Sequence, residues 1–442
     1  MAEIIEKTDL RDYYHSHFQA FENSLNGLKE TEIHLERKKA MEQFMQSGFP
    51  TADNEEWRYT NPAPILKHTF MPAFEAGEVE LKKESFEKYL IKDLPVNLFV
   101  FVNGKLREDL SVRQKGEEAL ELESLSAVMK KDSEVIRKYL SEPVNGFTAL
   151  NKAFLNDGAV LRIPEGLVLE NPVHFLFLSG SPLGEILIQP RIFIIAGKNS
   201  QAKIIESHHS IFENAYLFNS VTEIVTEESA VLSYYKIENE SEAAFHLSRL
   251  QVRQQRSSAF NCFTVTFGGS LVRNDLNSVF SGEYAETNLN GLYLADGKRH
   301  IDNHTVIDHA VPHCNSNELY KGILDDKGRG VFNGKVIVRK DAQKTQAYQS
   351  NKNLLLSRTA KIDTKPQLEI FADDVKCSHG ATVGQLNEEA LFYLQSRGVG
   401  IEKAQSILIN AFASDVIDLI NIEKLKETVN QQIMDKLHKV SE

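Results

Sequence analysis

The segment "AVLRIPEGLVLENPVHFLFLSG", residues 159–180, marks the point at which the sequence changes character. From here to about Phe371 the chain consists of short β-branched or aromatic runs that are separated by polar turns. Long helical periodicity is absent from this stretch of more than 200 residues. The pattern is typical of a β-sandwich, a β-barrel or a β-solenoid.

A weak repeat in the same stretch favours the solenoid. Small residues follow polar pairs at successive intervals of 28, 29, 26, 29 and 28 residues, at Ala202, Ala230, Ala259, Ala285, Cys314 and Ala342. A coil of this length, with two or three strands, cannot bury its apolar face alone and must stack on its neighbours. A sandwich would show turns roughly every 8–12 residues without a longer period. We therefore predict a parallel β-helix core over residues 156–384.

The flanking regions are predicted to be helical. Residues 1–155 form a mostly helical N-terminal domain with one short hairpin in "LFVFVNGKLRE", where Asn103-Gly104 is a strong turn signal. Residues 385–442 form a C-terminal helical domain with two apolar stripes. The first contains Ile401, Ala404, Ile407, Leu408, Ala411 and Phe412, and the second contains Ile422, Leu425, Val429, Ile433 and Leu437. These helices either cap the end of the solenoid or present a partner-binding face.

Composition restricts the class of protein. At 442 residues the chain exceeds one compact core, so two or three domains are expected. A net charge of −12 argues against nucleic acid or an anionic membrane as the main partner. The first residues lack the apolar region of a signal peptide. Cys262, Cys314 and Cys377 are too few and too widely spaced for a disulfide framework, which predicts a reducing, cytoplasmic setting.

The segment "KCSHGATVG", residues 376–384, sets a thiol and an imidazole two residues apart. In a strand Cys377 and His379 point to the same side. A buried Cys377 with no chemical role is the simpler interpretation, whereas His379 lies where it can reach solvent or a neighbouring chain. Both side chains are good ligands for zinc or iron–sulfur species, but two ligands do not complete a site. If this pair binds a metal, the other ligands come from elsewhere.

A second group of potential ligands lies in "RHIDNHTVIDHAVPHC", residues 299–314. It contains His300, His304, His309, His313 and Cys314. Their spacing matches none of the common zinc motifs, and Asp302 and Asp308 either orient the imidazoles or belong to turns. We interpret the group as polar residues at solenoid corners. The pair His208-His209 is a weaker candidate still.

A carbohydrate-active lyase or glycosidase is the alternative function, because parallel β-helices house such enzymes. The acidic pairs Asp325-Asp326 and Asp373-Asp374 are its candidate residues. Both pairs lie in predicted turns, and a glycosidase needs a second carboxylate across a groove. The sequence offers no such partner, and a secreted lyase would need an export signal.

Five blocks of the sequence resemble, in the same order, conserved blocks of the SufB/SufD family. They are "SGFPTADNEEWRYTN" (47–61), "ALNKAFLNDGAVLRIPEG" (149–166), "PRIFIIAGKNSQAKIIES" (190–207), "VFNGKVIVRKDAQKTQAYQSNKNLLLS" (331–357) and "IDTKPQLEIFADDVKCSHGATVGQLNEEALFYLQSRGV" (362–399). The resemblance covers nearly the whole chain. The parts "FPTADNEEWRYT" and "CSHGATVG" favour the SufD branch of the family.

The resemblance implies a right-handed parallel β-helix and a non-enzymatic scaffold role in iron–sulfur cluster assembly. It implies a complex with a SufB-type paralogue and a SufC-type ABC ATPase, in which the C-terminal helices dock the ATPase. The resemblance also implies that the two β-helix proteins pair and that the nascent cluster forms at their seam. His379, with Cys377 nearby, would be this chain's contribution. The isolated chain is expected to be a homodimer that holds no cofactor tightly.

Overall fold

The computed structural model of the chain describes residues 9–25 and 28–439, with a parallel β-solenoid of about 8 turns as its core. The prediction of a mainly β fold with a parallel β-helix and flanking helices is confirmed. Residues 1–8, on which the absence of a signal peptide was judged, lie outside the described residues, as does the side chain of Leu437.

The strands of the described residues are β1 (Met71–Pro72), β2 (Asn97–Val102), β3 (Lys105–Val112), β4 (Glu121–Ser124), β5 (Gly158–Ile163), β6 (Val173–Ser179), β7 (Ile186–Ile188), β8 (Arg191–Ala196), β9 (Gln201–Ser210), β10 (Tyr216–Thr226), β11 (Val231–Asn239), β12 (Phe245–Gln254), β13 (Ala259–Thr266), β14 (Leu271–Phe280), β15 (Glu286–Ala295), β16 (His300–His309), β17 (Asn315–Leu324), β18 (Arg329–Val338), β19 (Gln346–Leu355), β20 (Lys361–Ile370) and β21 (Lys376–Gly384). The α-helices are α1 (Leu10–Ser24), α2 (Glu32–Ser47), α3 (Ala63–Leu66), α4 (Leu125–Lys131), α5 (Ser133–Tyr139), α6 (Gly146–Ala153), α7 (Glu388–Ser396), α8 (Ile401–Ile417) and α9 (Glu423–Lys439).

The solenoid consists of two parallel sheets, and from β9 onward the chain alternates between them. One sheet has the order β20-β18-β16-β14-β12-β10-β8-β5-β4, and the other has the order β21-β19-β17-β15-β13-β11-β9-β6-β2-β3. Each complete coil therefore contributes one strand to each sheet. Alternate side chains point between the sheets, where they form a continuous apolar core with the residues of adjacent coils.

The sequence repeat reflects a column of small buried residues at one corner of the coil. Strand register aligns Ser200, Ala230, Ser258, Ala285, Cys314 and Thr345, each of which lies directly before its strand. All six are fully or almost fully buried. The period is therefore confirmed. The predicted markers at Ala202, Ala259 and Ala342 are displaced along the chain from their true equivalents.

Helices cover the outer faces of both sheets. The N-terminal helices pack through aromatic residues such as Phe18 and Phe44 against β7, β10, β12 and β14. The C-terminal helices pack against the other sheet, with Val416 and Val429 among the residues in contact with it. Lys321 on β17 fixes α8 there, since its Nζ donates to the Phe412 carbonyl and to Asp415, each over 2.6 Å.

Of the two alternatives for the C-terminal helices, a cap on the solenoid end is wrong. These helices lie along a sheet face, and most residues of β21 are exposed while those of β20 are mainly half-buried. Instead, antiparallel strands close the N-terminal end: β3 pairs with β2 in the predicted hairpin, and β4 pairs with β5. Strand β4 has only four residues and β3 is rich in charged residues, and both features limit further pairing at that end.

The predicted domain limits, 1–155, 156–384 and 385–442, stay a prediction. Within the structure, β2 pairs with β6, so the first of these regions contributes strands to the solenoid sheets. Among the described residues, no helix is both long enough and apolar enough to cross a membrane.

Candidate metal-ligating site at the open end of the solenoid

The last coil places Cys377 and His379 at the uncovered end of the solenoid. Strand β21 pairs with β19 in parallel, which aligns Cys377 with Ala347 and His379 with Gln349. Ala347 and Gln349 are buried between the sheets, so the two residues of β21 occupy inward-facing positions on a coil that has no successor. Cys377 is half-buried against the core, and His379 is exposed. The two potential ligands therefore lie on one surface.

The Cys377 thiol is not activated by its surroundings. Burial raises its pKa, and a backbone contact with Ala347 only partly offsets this effect. Thiolate is the form that ligates metals, so a nearby cation or metal is needed to deprotonate this thiol at neutral pH. Cys262 and Cys314 are buried more deeply, and burial raises their pKa values to about 12 and about 11. Among the three cysteines, only Cys377 is positioned to bind a metal that approaches from outside.

A buried acid lies two strands below His379 in the same inward column. The column runs from His379 through Gln349 on β19 to Glu318 on β17. Gln349 Nε2 donates to Glu318 Oε2 over 2.6 Å, whereas Glu318 Oε1 and Gln349 Oε1 have no hydrogen-bond partner. Burial raises the pKa of Glu318 to about 7, despite the hydrogen bond from Gln349. The sequence analysis missed this acid because its inward position follows only from the strand register.

The histidines of residues 299–314 do not converge on a shared site. His300 Nε2 contacts the Thr60 hydroxyl at 2.8 Å, and His309 Nε2 contacts the Ser316 hydroxyl at 2.9 Å. His313 has a φ of 62° in a turn and stacks on Tyr284, while Cys314 belongs to the buried corner column. Each of these side chains is thus occupied separately.

The corner interpretation of this group is nevertheless wrong for His304 and His309, which are buried within strand β16. Asp302 orients an imidazole, since its Oδ1 lies 2.9 Å from His304 Nε2. Although burial opposes the charge, Asp302 raises the pKa of His304 to about 9. This pair is an internal ion pair that also contacts Arg273.

The acidic pairs proposed for a carbohydrate-active enzyme lie at opposite edges of the solenoid. Asp325-Asp326 belong to the turn between β17 and β18, and Asp373-Asp374 belong to the turn between β20 and β21. Asp374 forms an ion pair with Lys344. The two pairs cannot face each other across a groove, so the geometry gives this alternative no support.

A second exposed surface lies on α7 and α8. Phe392 and Tyr393 are 71% and 57% exposed, and Ile401 is 51% exposed. The first predicted stripe is therefore wrong in part, because Ile401 and Ile407 face away from the sheet. The buried residues of α8 are Ala404, Ile409, Ala413, Val416 and Ile417. The second stripe is confirmed at Ile422, Leu425, Val429 and Ile433, which are all buried.

Comparison with known proteins identifies the family. A family model described as "SUF system FeS cluster assembly, SufBD core domain" matches residues 179–412, and one described as "SufBD protein N-terminal region" matches residues 8–175. The chain is 32% identical to an iron–sulfur cluster assembly SufBD family protein of Synechocystis sp., over 92% of each chain. The chain belongs to the SufBD family. The resemblance inferred from the five sequence blocks is thereby confirmed.

Two further SufBD relatives are named SufD, the branch that the sequence favours. The chain is 29% identical to the iron–sulfur cluster assembly protein SufD of Escherichia coli, over 90% of this chain and 91% of that protein. It is 25% identical to the SufD of Bacillus subtilis, over 91% of this chain and 93% of that protein. The open end of this SufBD chain fits part of an iron–sulfur ligand shell, since thiolate and imidazole both bind such clusters.

Proposed function

We propose that this chain is a non-catalytic scaffold subunit of the Suf machinery, on which a nascent iron–sulfur cluster is built and from which it is handed over. The uncovered last coil carries the proposal, because it brings an unpaired strand edge together with Cys377 and His379. The cluster is cargo in this proposal, and no residue of the chain is catalytic. A SufC-type ABC ATPase supplies the energy.

The free edge of β21 supports pairing with a SufB-type paralogue. The Lys376 N–H donates to the Thr345 carbonyl over 2.9 Å, and alternate residues of a parallel strand bond to the same neighbour. The backbone groups of the intervening residues, Cys377, His379, Ala381 and Val383, therefore face the open end. Unpaired strand edges are sites for strand addition by another chain.

Strand β20 offers a less complete edge than β21. The Lys361 N–H donates to Gly328, so Pro366 falls at a position whose N–H would face the open end. Proline has no such N–H and is tolerated on edge strands for this reason. A partner strand therefore finds the more complete set of donors on β21, beside the two ligands.

An incomplete set of ligands in this chain suits a cluster that must later be released from the scaffold. Soft thiolate and borderline imidazole bind iron–sulfur species, and two ligands from one chain leave the remaining positions to the partner or to the incoming iron. Separating the two chains would break the shell without unfolding either chain. The scaffold role thus follows from sharing the site across a seam.

The exposed surface of α7 and α8 is the proposed docking site for the ATPase. Phe392, Tyr393, Ile401 and Ile407 present apolar side chains there, whereas Leu425, Val429 and Ile433 of α9 are buried. Lys321 links α8 rigidly to β17, so movement of the docked helix has a direct mechanical connection to the sheet that ends in β21. In the absence of the paralogue, the same edge can pair with a second copy, which gives a homodimer.

Anaerobic co-expression with a SufB-type paralogue and a SufC-type ATPase tests this proposal. We expect a complex of the three chains that retains iron, and we expect Ala381→Pro to weaken pairing with the paralogue because it removes one outward N–H. Ala381→Ser is the matched control, since it keeps the N–H at the same exposed position. Equal recovery of the paralogue with both variants would contradict strand pairing through β21.

A further inference from the structure

A buried cluster of histidines and carboxylates lies inside the solenoid near its other end. His208 on β9 and His246 on β12 have ring centroids 4.7 Å apart, and Glu240 lies in the turn that follows β11. One ligand atom from each of these three residues lies within 4.8 Å of the others, and all three residues are buried. Five strand spacings separate β11 from β21, or about 24 Å. The cluster is therefore distinct from the open end.

A carboxylate also lies close to the Nε2 atom of each imidazole. His208 Nε2 forms a hydrogen bond of 2.8 Å with Glu206 Oε1, whereas His246 Nε2 lies 3.1 Å from Glu238 Oε1 and also 3.1 Å from Lys236 Nζ. Phe177 stacks on the His208 ring and Phe218 on the His246 ring, which restricts their orientation. A histidine that ligates a metal usually donates its second N–H to a carboxylate in this way.

The Nδ1 atoms of the two imidazoles lack a full set of hydrogen-bond partners. His208 Nδ1 is buried and has no hydrogen-bond partner. His246 Nδ1 lies 2.9 Å from Glu240 Oε2, an arrangement in which a metal can replace the shared proton. An orphaned buried nitrogen costs free energy, and a bound cation would satisfy it.

The charges of the cluster also favour a divalent cation. Glu206, Glu238 and Glu240 bring three buried carboxylates together at the cluster. The Lys236 side chain adds one ammonium group, whose Nζ lies 2.7 Å from Glu238 Oε1. Three carboxylates and one ammonium leave two negative charges.

We propose that His208, His246 and Glu240 bind one divalent transition-metal ion inside the solenoid, with Glu206 and Glu238 as the carboxylates that position the two imidazoles. Two imidazoles and one carboxylate are a ligand set for Zn²⁺ or Fe²⁺, with a fourth position open. The ion is a structural one that links β9, β11 and β12. It is not the cluster cargo, and the proposal does not depend on the scaffold function.

Metal titration of the tag-free full-length chain tests this site. We use Zn²⁺ and Co²⁺ on a Cys377→Ala/His379→Ala background, which removes the ligands of the open end. We expect about one equivalent to remain bound after gel filtration and to raise the Tm. We also expect Co²⁺ to give visible d–d absorption without a thiolate charge-transfer band. A chelator should reverse the Tm increase.

Three near-isosteric variants locate the ion. His208→Gln, His246→Gln and Glu240→Gln should each weaken Zn²⁺ binding at least 10-fold, on the order of the losses that follow damage to metal shells. His309→Gln is the matched control, because His309 is equally buried in the solenoid, packs against Phe280 and forms its side-chain hydrogen bond with Ser316. If a variant fails to fold, the chelator-dependent Tm of the parent decides the question. Substoichiometric binding by the parent, or unchanged binding by the folded variants, would overturn the proposal.

Discussion

At the residue scale, the two proposed cluster ligands differ in their contribution to the fold. His379 is exposed and contacts no core residue of note, while Cys377 packs partly against the apolar interior. Removing the imidazole therefore deletes a ligand without opening a cavity. Removing the thiol has a packing cost as well. This difference separates a functional defect from a folding defect.

We expect His379→Ala to change the free energy of unfolding by less than about 0.5 kcal/mol, as for other exposed substitutions. The variant should impair maturation of iron–sulfur enzymes in cells, because the seam loses one ligand. The measurement pairs chemical denaturation with the activity of a cluster-dependent enzyme in a strain that relies on this chain. His15→Ala on α1 is the control histidine. Normal enzyme activity in the His379→Ala strain contradicts the ligand role.

Cys377→Ala should cost less in function than His379→Ala and more in stability. The half-buried thiol contributes packing, and its raised pKa leaves it protonated until a metal or a partner's cation approaches. We expect a destabilisation of roughly 1 kcal/mol by denaturant unfolding. A larger loss of enzyme activity for Cys377→Ala than for His379→Ala would reverse this ranking.

Glu318 should make stability dependent on pH. Its folded pKa of about 7 lies above the ordinary glutamate value of 4.5, so the folded state retains a proton that the unfolded state loses between these values. Stability therefore falls as the pH rises from about 4.5 to 7 and levels off above that. Glu318→Gln should remove this pH dependence, which changes the free energy of unfolding by up to roughly 3 kcal/mol. Denaturant titrations across this pH range check it, with exposed Glu286→Gln as control; an unchanged slope in Glu318→Gln contradicts the assignment.

At the element scale, the apolar periodicity of α8 predicts the helix but not its orientation. Ile401 and Ile407 carry the same apolar character as Ile409 and Ile417, yet the sheet covers only the latter pair. Which face of α8 packs on the sheet depends on Lys321, a residue of β17 that contacts α8 although it is distant in the sequence. Helical spacing alone contains no information about that contact.

We expect Phe392→Lys on α7 to abolish co-purification of the ATPase while leaving the paralogue bound. The substitution places a charge in an apolar surface without disturbing packing, because Phe392 is 71% exposed. Leu183→Lys is the matched control, since Leu183 is 76% exposed in the turn between β6 and β7. Retention of the ATPase by Phe392→Lys would place its docking site elsewhere.

At the scale of the whole molecule, the sequence predicts the solenoid and its period but not its register. The marker at Ala342 misses its true equivalent, Thr345, because the turn of residues 339–345 is longer than the turn of residues 227–230. Without the strand register, the sequence does not show that His379 and Glu318 lie in the same inward-facing column. For the same reason His208 and His246 do not look like neighbours until the coils are stacked.

The two ends of the solenoid differ, and this difference determines where a partner can bind. Strands β3 and β4 close one end, while β20 and β21 leave the other uncovered. The sequence analysis left a cap as one alternative for the C-terminal helices because the apolar stripe of an amphipathic helix suits a cap and a sheet face equally well. The ligands Cys377 and His379, predicted from their residue types, acquire a structural context only from this open end.

Hydrogen–deuterium exchange along β21 tests the central claim most directly. It compares the isolated chain, kept dilute enough to be monomeric, with the complex of this chain and the SufB-type paralogue. We predict that the amides of Cys377, His379, Ala381 and Val383 exchange freely in the monomer and become protected in the complex, whereas that of Lys376 is protected in both. Unchanged exchange throughout β21, with new protection only on other surfaces, would contradict pairing at the open end.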